Sequence, residues 1–154
     1  MTALPTVKKI AGFLLVSIFL FTACKVTLLS AYDEVTDKTL SEMQQSTTTF
    51  FVKHETNPGS QDLSYTNSLP FYEGLRVKSR TVRIRNNAIE KNKIMINMLD
   101  LLDENITLMD SLHKQKPNGL LSKSDVTLLK SAFETQYTAM FKFIMALKAR
   151  AKAQ

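Results

Sequence analysis

Three groups of side chains in this sequence have types and spacings that suit chemistry. The first is thioethers: Met95-x-x-Met98 with Met109, and Met140 with Met145, offer soft sulfur donors of the kind that hold Cu(I). All of these lie on apolar faces, where methionine reads first as gap-filling core. The second group is the carboxylates Asp100, Asp103 and Glu104. Di-metal bundle sites draw on Glu-x-x-His pairs from two helices, and Asp110-x-x-His113 is the sole near match, so a solvated helix face is the better reading. His54 and His113 stand beside Asn57-Pro58 and Pro117, which reads as two helix ends whose dipoles favour charged imidazolium. The third group is basic: Arg76, Lys78, Arg80, Arg83, Arg85, Lys91 and Lys93 stand against Glu73 and Glu90. Arg76, Arg80 and Arg83 share one helical face and make a stripe that attracts phosphate-bearing headgroups or an acidic protein partner, unless the acids of the following helix pair with it internally, which is the better expectation.

What the chain lacks is also informative. It has no Gly-rich phosphate loop, no Gly-x-Ser-x-Gly elbow, no His-Glu-x-x-His and no Cys-x-x-Cys-His. Nucleotide hydrolysis, serine-esterase chemistry, zinc-protease activity and c-type haem attachment therefore lack their parts, and the expectation is a non-enzymatic protein without a cofactor.

The remaining reactive residue is the single cysteine, Cys24. It follows Lys8-Lys9 and an uncharged run from Ile10 to Ala23, which is a basic n-region, an apolar h-region and small residues before a cleavage point. At about 1.5 Å per residue that run covers roughly 21 Å, short of a ~30 Å hydrocarbon core, so it spans a bilayer poorly. The junction Phe21-Thr-Ala-Cys24 resembles the lipobox of bacterial lipoprotein signals, with Phe21 where an aliphatic residue is usual. The resemblance implies cleavage after residue 23, acylation of Cys24, and a chain held to the membrane by a lipid anchor instead of spanning it. Lys25 is not the Asp that retains such proteins at the inner membrane, which implies the outer membrane, facing the periplasm. A mature chain starting at Cys24 has no thiol left over, which removes cysteine catalysis, thiolate zinc and an intramolecular disulfide, and a secreted chain meets no cytoplasmic nucleic acid.

The elements that must position these groups are helices. With 154 residues, 44% of them hydrophobic, the chain suits a single domain over residues 24–154. The first stretch, about Ala31 to Thr56, carries Val35, Leu40, Met43, Thr47, Phe50 and Phe51 at threes and fours, although Thr47-Thr-Thr49 weakens it. The second starts at Ser60 or Pro70 and runs to Asn87; Thr81-Val-Arg-Ile-Arg85 alternates like a strand, but no second strand exists to pair with it. The third, Glu90 to Lys114, has Ile94, Met98, Leu101, Leu102, Met109 and Leu112 as its apolar face. The fourth opens on Ser122-Lys-Ser-Asp125, a capping-box variant flanked by the Leu121/Val126 staple, and continues Val126, Leu129, Phe133, Tyr137, Met140, Ile144 and Leu147 on one stripe. The strong breakers fall between these stretches. Together they predict an all-α, antiparallel four-helix bundle.

Tyr32-Asp-Glu-Val-Thr-Asp-Lys38 with Leu40 and Gln44, then Phe50-Phe51, Phe71-Tyr-Glu73, Leu121-Ser122 and Lys130-Ser-Ala-Phe133, is similar to a group of small uncharacterised bacterial lipoproteins. That likeness implies compartment and architecture and no activity. The sequence thus predicts a non-enzymatic interaction or structural protein of the cell envelope, whose partners are the membrane, through Cys24, and an envelope protein or anionic lipid. An uncovered apolar stripe would add a homodimer. The other expectation is a ligand- or copper-binding bundle of the periplasm.

Overall fold

The computed structural model describes residues 30–153, so the expected signal segment and Cys24 lie outside the described residues. Four helices, α1 (Glu34–Thr56), α2 (Tyr65–Asn87), α3 (Lys93–Gln115) and α4 (Lys123–Lys152), follow one another through short turns. Each packs on its neighbours in sequence, and α1 closes the ring against α4, giving an all-α antiparallel bundle. No helix among the described residues is long and apolar enough to cross a membrane.

Local signals set several boundaries. Asp33 caps α1 by accepting from the Thr36 amide at 3.0 Å. Ser122 and Asp125 form the full reciprocal capping box of α4, and Val126 is buried behind it. The Thr47-Thr-Thr49 run stays helical because its hydroxyls find local partners: Thr47 and Thr49 each donate to the carbonyl four residues back at 2.9 Å, and Thr48 accepts from Gln44.

Two boundaries differ from expectation. Pro70 lies inside α2, not between helices. It sits five residues after Tyr65 on the exposed side, and Thr66, whose carbonyl loses its donor, is an exposed residue as well. The third helix begins at Lys93 instead of Glu90, because Lys91 adopts a left-handed backbone (φ 58°) and Asn92 turns inward, donating to the Asn86 side chain at 2.6 Å. Asn86 in turn donates to Thr36 Oγ1 at 2.8 Å, which ties this turn to the start of α1. At the opposite end Gly119 (φ 62°) passes so close to Tyr65 that a Cβ would lie 3.0 Å from its backbone nitrogen.

All seven residues of the expected α4 stripe are buried, from Val126 to Leu147. The α1 stripe holds at Leu40, Met43, Thr47, Phe50 and Phe51 and fails only at its first residue, Leu75 and Val82 are buried in α2, and the α3 stripe is rotated. Val35 is exposed and Thr36 buried in α1. In α3, Ile94 and Leu101 are exposed, while Met95, Leu99, Leu102, Ile106, Met109 and His113 face the core. The segment Ile94-Met-Ile-Asn-Met-Leu-Asp-Leu-Leu102 is apolar around most of its circumference, so neighbouring helices, not its own pattern, select the buried face.

Candidate functional site

The stripe Arg76, Arg80 and Arg83 lines one cleft of about 440 Å³ between α2 and α3, floored by Ile106 and bordered by Val77 and Asp103. Its outer arginines are committed internally. Arg76 pairs with Asp110. Arg83 forks onto two acids of α3, Asp100 at 2.7 Å and Asp103 at 2.6 Å, and Asp103 also accepts from the Ser79 hydroxyl. The Asp103 hydrogen bond, with Asp100 adding to it against the cost of partial burial, holds the Arg83 guanidinium more firmly protonated than usual. Arg80, between them, is exposed and has no acidic partner among the described residues. The carboxylates Asp100 and Asp103 thus serve as anchors for arginine, while Glu104 is exposed on the same helix.

Beyond this cleft the basic cluster reaches the end of the bundle where the described chain begins. Arg85 donates twice to Asp33, at 2.9 and 2.8 Å, which joins the end of α2 to the start of α1. Lys91 and Lys93 are exposed there without acidic partners among the described residues. Val77 and Ile84 are 66% and 65% exposed, three residues before and four after Arg80, so α2 presents an apolar–basic–apolar face to solvent.

The methionines do not converge. Met95 and Met109 are buried on α3, but fourteen residues of helix separate them by about 21 Å, with Met98 half-buried between. Met140 is buried and Met145 is 69% exposed. Among the described residues no group of three His, Cys, Asp or Glu side chains is placed to hold a metal ion.

The histidines differ most from expectation. Both stand in the last turns of α1 and α3, as expected, but inside the bundle, where burial disfavours the charged imidazolium. His54 and His113 are both buried at the end of the bundle away from Asp33, and their ring centres lie 5.7 Å apart. Burial pushes both pKa values below that of free imidazole, and for His113 the neighbouring His54 adds to it, so the dipole effect loses to desolvation. Phe50 and Tyr65 pack around them, and Tyr72, itself fully buried, meets His113 Nδ1 at 2.9 Å. The spacing held the signal for this pair: His54 and His113 each fall four residues after a core residue, Phe50 and Met109.

A second cleft of about 440 Å³ runs between α1 and α4 over Phe51, Phe133 and Tyr137, where the Tyr137 and Thr47 hydroxyls stand 3.2 Å apart. No protein-family model, no curated protein and no solved structure matches the chain.

Proposed function

We propose that the protein is a lipid-anchored, periplasm-facing helical protein of the outer membrane with a non-enzymatic role in the envelope, and that its bundle rests on anionic headgroups through the exposed face of α2. The observation that carries this reading is Arg80, a guanidinium without an acidic partner among the described residues, flanked by exposed Val77 and Ile84. A cation between two apolar side chains suits a surface that offers phosphate above acyl chain. The position of the chain exit agrees with it. Ser30 is held to the last turn of α4, its carbonyl accepting from Arg150 at 2.6 Å, and three residues later Asp33 pairs with Arg85 at the end of α2; a chain of six residues, the length from Cys24 to Leu29, reaches no more than about 20 Å, so an acylated Cys24 would hold this end of the bundle within reach of the bilayer. The sequence likeness to small bacterial lipoproteins, with the lipobox-like Cys24, supports the compartment.

The test is co-sedimentation of the chain from residue 24, with Cys24→Ser, on phosphatidylglycerol and on phosphatidylcholine vesicles. Binding should favour the anionic vesicles and fall with added salt. Each cation at such a surface contributes about 1 kcal/mol, so the double charge change of Arg80→Glu should weaken binding roughly 30-fold. Arg80 is the variant of choice because Arg83 also holds α2 to α3. Equal sedimentation on both vesicles, or an Arg80→Glu protein that binds as the parent does, refutes the headgroup reading.

A further inference from the structure

The charges of α3 and α4 are drawn away from the seam between these two helices. Asp100, Asp103 and Asp110 of α3 turn to α2, where they hold Arg83 and Arg76. Lys130 and Lys148 of α4 turn to α1, where they hold Glu55 and Asp37. At the seam itself Gln136 donates to the Met98 carbonyl at 2.8 Å. On α3, exposed Leu101 follows Met98 by three residues, exposed Ile94 precedes it by four, and exposed Leu108 lies seven beyond Leu101. On α4, Ala139 follows Gln136 by three, Ala132 precedes it by four, and Ala146 lies seven beyond Ala139; all three are exposed. Seven residues make nearly two turns, so each set forms a line along its helix. Neighbours three and four apart share a helix face, so the two lines run side by side along the seam on one outer face of the bundle. The lines themselves carry no charge, and exposed Glu104 and Lys142 border them.

We propose that this α3–α4 face is the interface of a homodimer, with Ile94 and Leu101 of each copy packed on Ala139 and Ala132 of the other. The two helices are antiparallel, and the Met98–Gln136 bond sets their register: Leu101 stands level with Ala132, and Ile94 with Ala139, to within about one turn. A two-fold axis parallel to the helices, between α3 and α4, lays α3 of one copy antiparallel on α4 of the second. Each ridge of large side chains then meets a row of small ones, and the match occurs twice. An axis across the helices would set leucine on leucine and alanine on alanine, which leaves the space over the alanines unfilled. The face runs the 23 residues of α3, about 34 Å, and spans two helices, about 20 Å, so each copy covers about 700 Å², close to the ~800 Å² of a standard interface. An uncharged centre with charges at the rim is the composition of such an interface. A bilayer is a poorer occupant, because alanine offers it little apolar area and the two lines carry no cation for a headgroup. This axis leaves both Ser30 ends on the same side and the outer face of α2 uncovered, so the dimer does not depend on the headgroup reading.

The four helices close on one another within residues 30–153, so the chain from residue 24, with Cys24→Ser, keeps the whole bundle. Sedimentation equilibrium of this chain without lipid should show a dimer that dissociates on dilution. Leu101→Glu and Ala139→Glu should each weaken it at least about 30-fold, since each places two carboxylates in the uncharged centre. Val52→Glu, on the exposed side of α1, should leave it unchanged. A mixture of Leu101→Cys and Ala132→Cys chains, each with a single thiol, reads the arrangement whether or not the glutamate variants fold: mild oxidation should link the two kinds of chain to each other and neither to itself. A parent that stays monomeric at about 300 µM, glutamate variants that dimerise as the parent does, or Leu101→Cys chains that link to themselves in preference to the mixed pair overturn the proposal. So do neutral phosphatidylcholine vesicles that capture the parent and not Leu101→Glu, which would assign the face to acyl chains.

Discussion

Replacing Asp33 tests how the two ends of the first two helices are joined. Asp33 does three things at once: it caps α1 through the Thr36 amide at 3.0 Å, accepts from Thr36 Oγ1 at 2.7 Å, and takes both Arg85 bonds. An N-cap contributes about 1 kcal/mol. The hydroxyl bond adds about 0.5–1.5 kcal/mol. The Arg85 pair, with the arginine 42% exposed, is screened by solvent and adds little to this. Asp33→Ala should therefore cost about 1.5–2.5 kcal/mol, a fall in Tm of roughly 6–10 °C for a domain of this size. Asp33→Asn keeps a capping oxygen and drops only the charge facing an exposed arginine, so it should cost clearly less than Asp33→Ala. Urea denaturation followed by circular dichroism measures both, and combining Asp33→Ala with Arg85→Ala isolates the ion pair. The reasoning fails if Asp33→Ala falls within about 0.5 kcal/mol of the parent, or if Asn costs as much as Ala, since the capping geometry would then contribute nothing.

The same residue predicts an acid dependence. The Arg85 guanidinium, helped by Thr36 against the cost of burial, holds the Asp33 carboxyl well below the usual carboxylate range. A depressed folded pKa means that the unfolded chain takes up the proton first: the stabilisation is present above about pH 4 and is lost progressively as the pH falls toward the folded value. The urea-midpoint gap between the parent and Asp33→Asn should thus narrow between about pH 4.5 and 2.5, and a constant gap contradicts the assignment. Pro70→Ala should stabilise. It restores a donor for the Thr66 carbonyl and removes a helix-interior proline worth about 3 kcal/mol, less about 1 kcal/mol for the freer unfolded chain, a net gain of about 1–2 kcal/mol. An unchanged or lowered urea midpoint would show that α2 accommodates the ring without loss.

The fourth helix was legible almost entirely in the sequence. Its capping box closes over three residues and its stripe needs only its own periodicity, so no distant partner is required to define either. The arginine stripe was legible as a face of α2 for the same reason, and the expected pairing with the acids of α3 holds for Arg76 and Arg83. Which arginine stays unpaired was not legible, because that depends on the register of α3 against α2, which leaves acids opposite positions 76 and 83 and none opposite 80. The all-α architecture and the lack of the catalytic motifs sought were properties of the sequence alone. Tertiary packing decided the rest. It chose the buried face of α3, whose apolar residues allow more than one, and it kept Pro70 within a helix whose neighbours hold it in place. It also brought His54 to His113 across 59 residues of chain. Local interactions are written in neighbouring residues; a contact between distant ones exists only once the helices have chosen their faces and register, and there desolvation outweighed the dipole that the sequence had suggested.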